Sequence, residues 1–184
     1  MSALYPLRNP DVIASSSQRS LFRWWDRRRS EIALPSVEAL ADDNVTPHLS
    51  ECMFYQVLRD RPDVDFLATS HGSDVHPLFG HRLVGTLLSQ HAAPALVEGV
   101  LNSYRAAVEA RRPVYTMRHA RDERGVAVQI EILRLPLSSD GHAVDSVLAH
   151  FYAGSATGPF SRNQLIKTGS TEDYTVAAVI VRRT

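Results

Sequence analysis

Three strand-like runs follow one another between residues 114 and 153, separated only by turn chemistry, and this constrains the fold more than any other feature. Val114 to Arg121 is followed by Asp122-Glu123-Arg124-Gly125, Val126 to Leu137 by Ser138-Ser139-Asp140-Gly141, and Ala143 to Ala153 completes the series. Connections this short allow only antiparallel neighbours, because a parallel pair needs a crossover of a dozen residues or more. The segment is therefore a three-strand meander.

Upstream, Glu51 to Leu58 alternates Met53, Tyr55 and Val57 against Cys52, Phe54 and Gln56. Arg59 to Asp63 reads as a turn, and Val64 to Thr69 as the second strand of a hairpin. Residues 71–91 are broken by Gly72, Pro77, Gly80 and Gly85 and predict short helices and loops. Ala92 to Arg112 is the clearest helix: Val100, Leu101, Tyr104, Ala107 and Val108 keep the helical period, Arg111 and Arg112 suit its C-terminal dipole, and Pro113 stops it. A hairpin, a helical crossover and a meander make one five-stranded antiparallel sheet with helices on one face, an α+β arrangement.

The ends add less regular pieces. Residues 1–16 read as a flexible tail. From Ser17 to Leu34 an amphipathic helix is expected, with Leu21, Trp25 and Ile32 on one face, Phe22 and Trp24 widening it, and Pro35 as its stop. Gly154 to Pro159 reads as linker and Tyr174 to Val181 as one more strand. The expected division is tail 1–16, helical segment 17–49, core 50–153, and linker with extra strand 154–184.

Charge and composition narrow the function. The 184 residues carry 20 basic and 20 acidic side chains, which weighs against a general nucleic-acid binder. The balance is uneven: residues 1–30 are basic and 31–74 acidic, a pattern expected to neutralise within one fold or across a dimer. Cys52 is the single cysteine, so neither an internal disulfide nor a cysteine-rich zinc site is expected. No apolar leader and no run of about 20 apolar residues is present, so the expected compartment is the cytoplasm, without a membrane. Arginine supplies 19 of the basic residues and lysine only Lys167.

Chemical motifs are sparse. His71, His76 and His81 recur at intervals of five, which places neighbours on different faces of a helix or strand, so no metal site is expected. Gly80 to Thr86 imitates a phosphate loop without its lysine, and Gly154 to Gly158 is not a nucleophile elbow. Glu131 is ambiguous: the alternation through Ile130, Ile132, Leu133 and Leu135 shifts, so it faces out or sits inside, where Arg118 or Arg134 would have to partner it.

Several local motifs resemble single-domain PAS proteins of alphaproteobacteria. Arg23-Trp24-Trp25 with Leu34-Pro35-Ser36, Pro47-His48-Leu49, and Leu78 to Gly85 carry the resemblance, the last with Arg82 where that family has an acid. Glu131 to Ser138, Asp140-Gly141 and Val144-Asp145 are its most specific part. The resemblance covers about residues 20–153.

It implies a PAS-like sheet of order 2-1-5-4-3, with an N-terminal amphipathic helix and a C-terminal extension outside it. It also implies a non-catalytic sensory or regulatory module that binds a small ligand, a signalling protein, or both, and that forms a homodimer. By position in such a fold, Phe66, Leu78, Phe79, Leu88, Leu101, Tyr104, Tyr115, Met117 and Leu133 are the expected pocket. Leu21, Phe22, Trp24 and Trp25 are the expected dimer or partner surface, with Arg27 to Arg29 beside them. No motif names a cofactor. Haem through His81 or His91, or a flavin, is weighed and not favoured, Cys52 being misplaced for a flavin adduct. Two rival readings stand beside this one: a small enzyme using His81, Tyr104 and Glu131, and an adaptor with a filled interior.

Overall fold

The computed structural model describes residues 5–7, 10–29, 33–60, 62–91, 94, 96–168 and 176–180. Its centre is one sheet to which the sequence contributes in two blocks. Strands β2 (Cys52–Leu58) and β3 (Asp65–His71) form the hairpin, and β4 (Val114–Arg121), β5 (Ala127–Leu137) and β6 (Ser146–Gly154) form the meander. β6 pairs antiparallel with β2, joining the blocks. Counted along the chain from β2, these five strands have the order 2-1-5-4-3.

The ends of the chain widen this sheet. β7 (Val176–Ile180) pairs antiparallel with β4, and β1 (Tyr5–Leu7) pairs parallel with β7. The lead-in read as a tail thus holds a strand. The edge of β4 that the meander leaves open is covered by chain from both ends, which removes a row of unpaired backbone groups.

Register sorts the strand residues onto two faces. Arg134 lies opposite Val114 and Ala149, and Ile132 opposite Thr116 and Phe151. Leu133 lies opposite Tyr115 and His150, on the other face. The first face is covered by α2 (His76–Phe79), α3 (Leu88–His91) and α4 (Val97–Ala110), and by α5 (Leu165–Thr168), which packs on α2. Tyr104 of α4 is buried there against Tyr55 and Phe66, at ring-centroid distances of 5.1 and 5.2 Å.

The second face is covered by α1 (Ser16–Arg28). Ser15 caps it, its hydroxyl accepting from the Gln18 amide. The helix is shorter than its periodicity predicts. Arg29 is already extended, because the chain next runs beside the 138–141 turn: Leu34 donates to the Gly141 carbonyl and Ser138 to the Pro35 carbonyl. Ile32 falls outside the described residues.

That turn is expected to make stability depend on pH. The Asp140 carboxylate accepts from the His142 and Ala143 amides and the Ser138 hydroxyl, which hold its pKa at about 2 against an ordinary 3.8. A depressed carboxylate contributes stability above the unfolded value and loses it as the pH falls through the folded one. Asp140→Asn is therefore expected to lower the melting temperature by a constant amount above about pH 5. The gap should close as the pH is taken from about 4 towards 2, and an unchanging gap in a pH series of melts would refute the assignment.

Candidate functional site

Glu131 shows why alternation in β5 was unreadable: both faces of that strand are buried. Glu131 is fully buried under α1, on the face away from Arg118 and Arg134. Its carboxylate accepts from Gln129 Nε2 at 2.6 Å. Burial, and then the adjoining Glu131 carboxylate, push the Tyr115 hydroxyl pKa well up. Gln18 of α1 donates to the carbonyls of Glu131 and His150, each at 3.2 Å. His150 Nε2 lies 3.4 Å from a Glu51 carboxylate oxygen, and this proximity is the main cause that lowers the Glu51 pKa. This polar layer holds the helix to the centre of the sheet.

Three of the nine expected pocket residues belong to this rear layer. Tyr115, Met117 and Leu133 share the register of Glu131 and His150 and face α1. The reason is the strict period of two: a strand cannot offer neighbours to one face.

The face under α4 encloses a cavity of about 30 Å³. Its walls come from the sheet (Tyr55, Arg118, Ile132, Arg134, Phe151) and from the helices (Phe79, Leu88, Val100, Tyr104, Ile166). Phe79, Leu88 and Tyr104 were expected there. Phe66 stacks on Tyr104, while Leu78 and Leu101 are buried core. Ile166 comes from the segment beyond the expected core, which therefore closes the cavity.

Arg134 is the residue that sequence reasoning placed poorly. It is fully buried at the middle of the sheet. Its Nη1 donates to Thr116 Oγ1 at 2.8 Å and to the Ile132 carbonyl at 3.3 Å. Its guanidinium carbon lies 4.6 Å from the centre of the Tyr104 ring. Nε and Nη2 have no hydrogen-bond partner among the described residues. Arg118, 4% exposed, lines the same cavity. The signal was present in sequence for Arg134, two residues from Ile132 on one strand, but choosing its face, and bringing Arg118 of β4 to it, needed the register.

A larger groove of about 880 Å³ lies on the rear side of the hairpin, between Leu40, Leu49, Phe54 and Gln56. It is open to solvent, and of its polar residues Ser139 and Asp145 bond each other.

The expected partner residues are occupied within the chain. Leu21, Trp24 and Trp25 are at most 1% exposed and Phe22 is 9% exposed. Their helix had to cover an apolar sheet face, so the correction is that they are core rather than contact surface. Arg28 pairs with Asp42 and lies over the Trp24 ring, so basic and acidic stretches meet inside one fold.

The remaining candidates do not converge. His81 Nδ1 is 2.9 Å from the Phe79 carbonyl and is not a cavity residue, and His71 and His76 sit 6.2 Å apart by ring centres. The side chain of His91 lies outside the described residues. Among the described residues no three His, Cys, Asp or Glu groups gather as a metal site. Cys52 is buried on the rear face, where burial pushes its thiol pKa up and it donates to the His48 carbonyl. His81, Tyr104 and Glu131, the set a small enzyme would have used, are not brought together: Tyr104 and Glu131 lie on opposite faces of the sheet. No helix among the described residues is long and apolar enough to cross a membrane.

Comparison with known proteins places this geometry. No curated protein matches the chain. Among solved structures, it is similar to the PAS domain of a protein from Colwellia psychrerythraea, at 13% identity over 61% of this chain and 93% of that one, with a TM-score of 0.41. A Light-Oxygen-Voltage domain studied with a flavin analogue is similar at 15% identity over 65% and 90% of the two chains, with a TM-score of 0.38. A fungal LOV domain photoreceptor is similar at 16% identity over 77% and 96%, with a TM-score of 0.37. The family profile described as PAS domain matches residues 13–151, about three quarters of the sequence, and takes in both α1 and the whole sheet from β2 to β6 except the last residues of β6. The chain belongs to the PAS domain family.

Proposed function

We propose that this PAS domain is a non-catalytic sensory or regulatory module that binds a small ligand between its sheet and α4 and reports occupancy to a signalling protein. The observation that supports it most is the enclosed cavity, whose wall draws on α2, α3, α4 and α5 at once. A ligand there touches every helix on that face, so its arrival has a route to the surface through their packing. The sequence motifs from Glu131 to Asp145 favour kinship with the single-domain proteins of this family. Since Trp24 and Trp25 are taken up in the core, a partner or a second copy would use other surfaces.

Native mass spectrometry of freshly purified protein and a thermal-shift screen of small molecules test this reading. Expected is an adduct that leaves on denaturation, or compounds that raise the melting temperature. Either signal should weaken at least tenfold in Val100→Leu, which adds a methylene's volume at the cavity wall. Failure of both, with a partner still captured by Val100→Leu, would overturn the ligand reading in favour of the adaptor.

A further inference from the structure

The five core strands place two arginines on the face under α4 and no acid. Reading the register across that face gives Met53, Tyr55, Val57, Phe66, Ala68, Val114, Thr116, Arg118, Ala120, Val128 and Ile130 to Arg134 in steps of two, and then Val147 to Ala153 likewise. Arginine stays charged at any accessible pH, so burial cannot neutralise it as it would a lysine. A buried charge is strongly unfavourable unless it is paired. Among the described residues no carboxylate pairs with Arg134.

The unpartnered atoms have a definite geometry. Nη1 is taken by Thr116 and Ile132, and Nε and Nη2 are left. Those two N–H groups form the side-on fork of a guanidinium, the arrangement that donates to both oxygens of a carboxylate. Apart from Arg118 and the rings of Tyr55 and Tyr104, the rest of the cavity wall, Phe79, Leu88, Val100, Ile132, Phe151 and Ile166, is apolar. Its 30 Å³ holds about two water-sized bodies, room for a head group of a few heavy atoms.

We propose that the cavity takes a small organic monoanion, a carboxylate on a short apolar stem, with the carboxylate on the Nε and Nη2 fork of Arg134, Arg118 adding positive charge, and the stem among the apolar helix residues. This deepens the ligand reading above and rests on it. Without the anion the guanidinium has the Tyr104 ring, Thr116 and one carbonyl. With it, the unpaired charge is matched, which makes occupancy a stabilising event for the helices that close the cavity.

The experiment uses the full chain and three sets of probes at constant ionic strength: formate, acetate and propionate; the matching neutral amides; and chloride and nitrate. Melting temperature is read against concentration. Acetate or propionate is expected to stabilise saturably and to bind at least tenfold more tightly than its amide, with the inorganic ions weaker than the best acid. Arg134→Met is expected to fold, since it replaces an unpaired charge by an apolar side chain, and to lose the difference between acid and amide. An arginine Nε–H spectrum of the unsubstituted chain reads the same contact without relying on that variant: one exchange-protected resonance should move with acetate and stay with acetamide. Amides binding as tightly as acids, or an acid response that survives in Arg134→Met, would overturn the anion assignment and leave the ligand reading standing. Chloride or nitrate binding as tightly as the best acid would overturn the organic stem. No response to any probe, with no Nε–H shift, overturns the anion assignment; a silent screen in the preceding test then removes the ligand reading as well.

Discussion

Replacing Trp25 by alanine is expected to remove about 3–5 kcal/mol of stability, the range for truncating a large buried aromatic side chain. For a chain of this size that corresponds to a fall of roughly 6–20 °C in melting temperature. Trp25 is 1% exposed, and its indole N–H donates to the Pro136 carbonyl at 2.7 Å. The substitution therefore opens a cavity between α1 and β5 and also strands a carbonyl. Trp25→Phe keeps most of the buried area and loses the hydrogen bond, so it should cost distinctly less. Thermal and denaturant melts with far-ultraviolet circular dichroism give both numbers. If Trp25→Ala melts within about 2 °C of the parent, α1 is not docked as described.

Tyr104→Ala is expected to cost a similar 3–5 kcal/mol and to act on the other face. The ring is 1% exposed and packs edge-on to Tyr55 and against Phe66. It also carries the Arg134 guanidinium, so its loss adds a worse-solvated charge to a new cavity. Tyr104→Phe separates these contributions. It retains the ring under Arg134 and removes only the hydroxyl, which lies near that of Tyr55, for a cost of about 1 kcal/mol. Denaturant midpoints of the two variants should differ several-fold in their shift from the parent. Equal shifts would mean that the hydroxyl pair, not the ring beneath Arg134, is what α4 contributes.

The architecture was legible because it rests on local signals. Turn sequences such as Ser139-Asp140-Gly141 and Arg59 to Asp63 punctuate strands whose observed limits lie close to those read from the residues. Val114–Arg121 was located to the residue. The body of α4 was equally legible, since Val100, Leu101, Tyr104 and Ala107 repeat at the helical period before Pro113, but the helix runs from Val97 to Ala110 rather than from Ala92 to Arg112. Antiparallel order follows from such signals because short connections leave few alternatives.

The site was less legible, for two physical reasons. Strand β5 is buried on both faces, so the polar alternation that would orient it is missing. Glu131, Leu133 and Tyr115 then fall to the rear and Ile132 and Arg134 to the cavity only once pairing with β4 and β6 is known. The second reason is that burial of an amphipathic helix does not depend on what covers it. The pattern of Leu21, Phe22, Trp24 and Trp25 demanded an apolar surface but could not say whose. The tertiary structure decided that it is this chain's own sheet, held by Gln18 and Trp25 through carbonyls more than 110 residues away. It likewise decided that β1 and β7, from opposite ends of the chain, close one edge, because pairing at that distance leaves no trace in local periodicity. The sequence by itself determined the elements, their order and the need for a covered sheet. The fold decided which side chains share a space, and so set Arg134, with no carboxylate pairing it among the described residues, and Arg118 against the enclosed cavity described above.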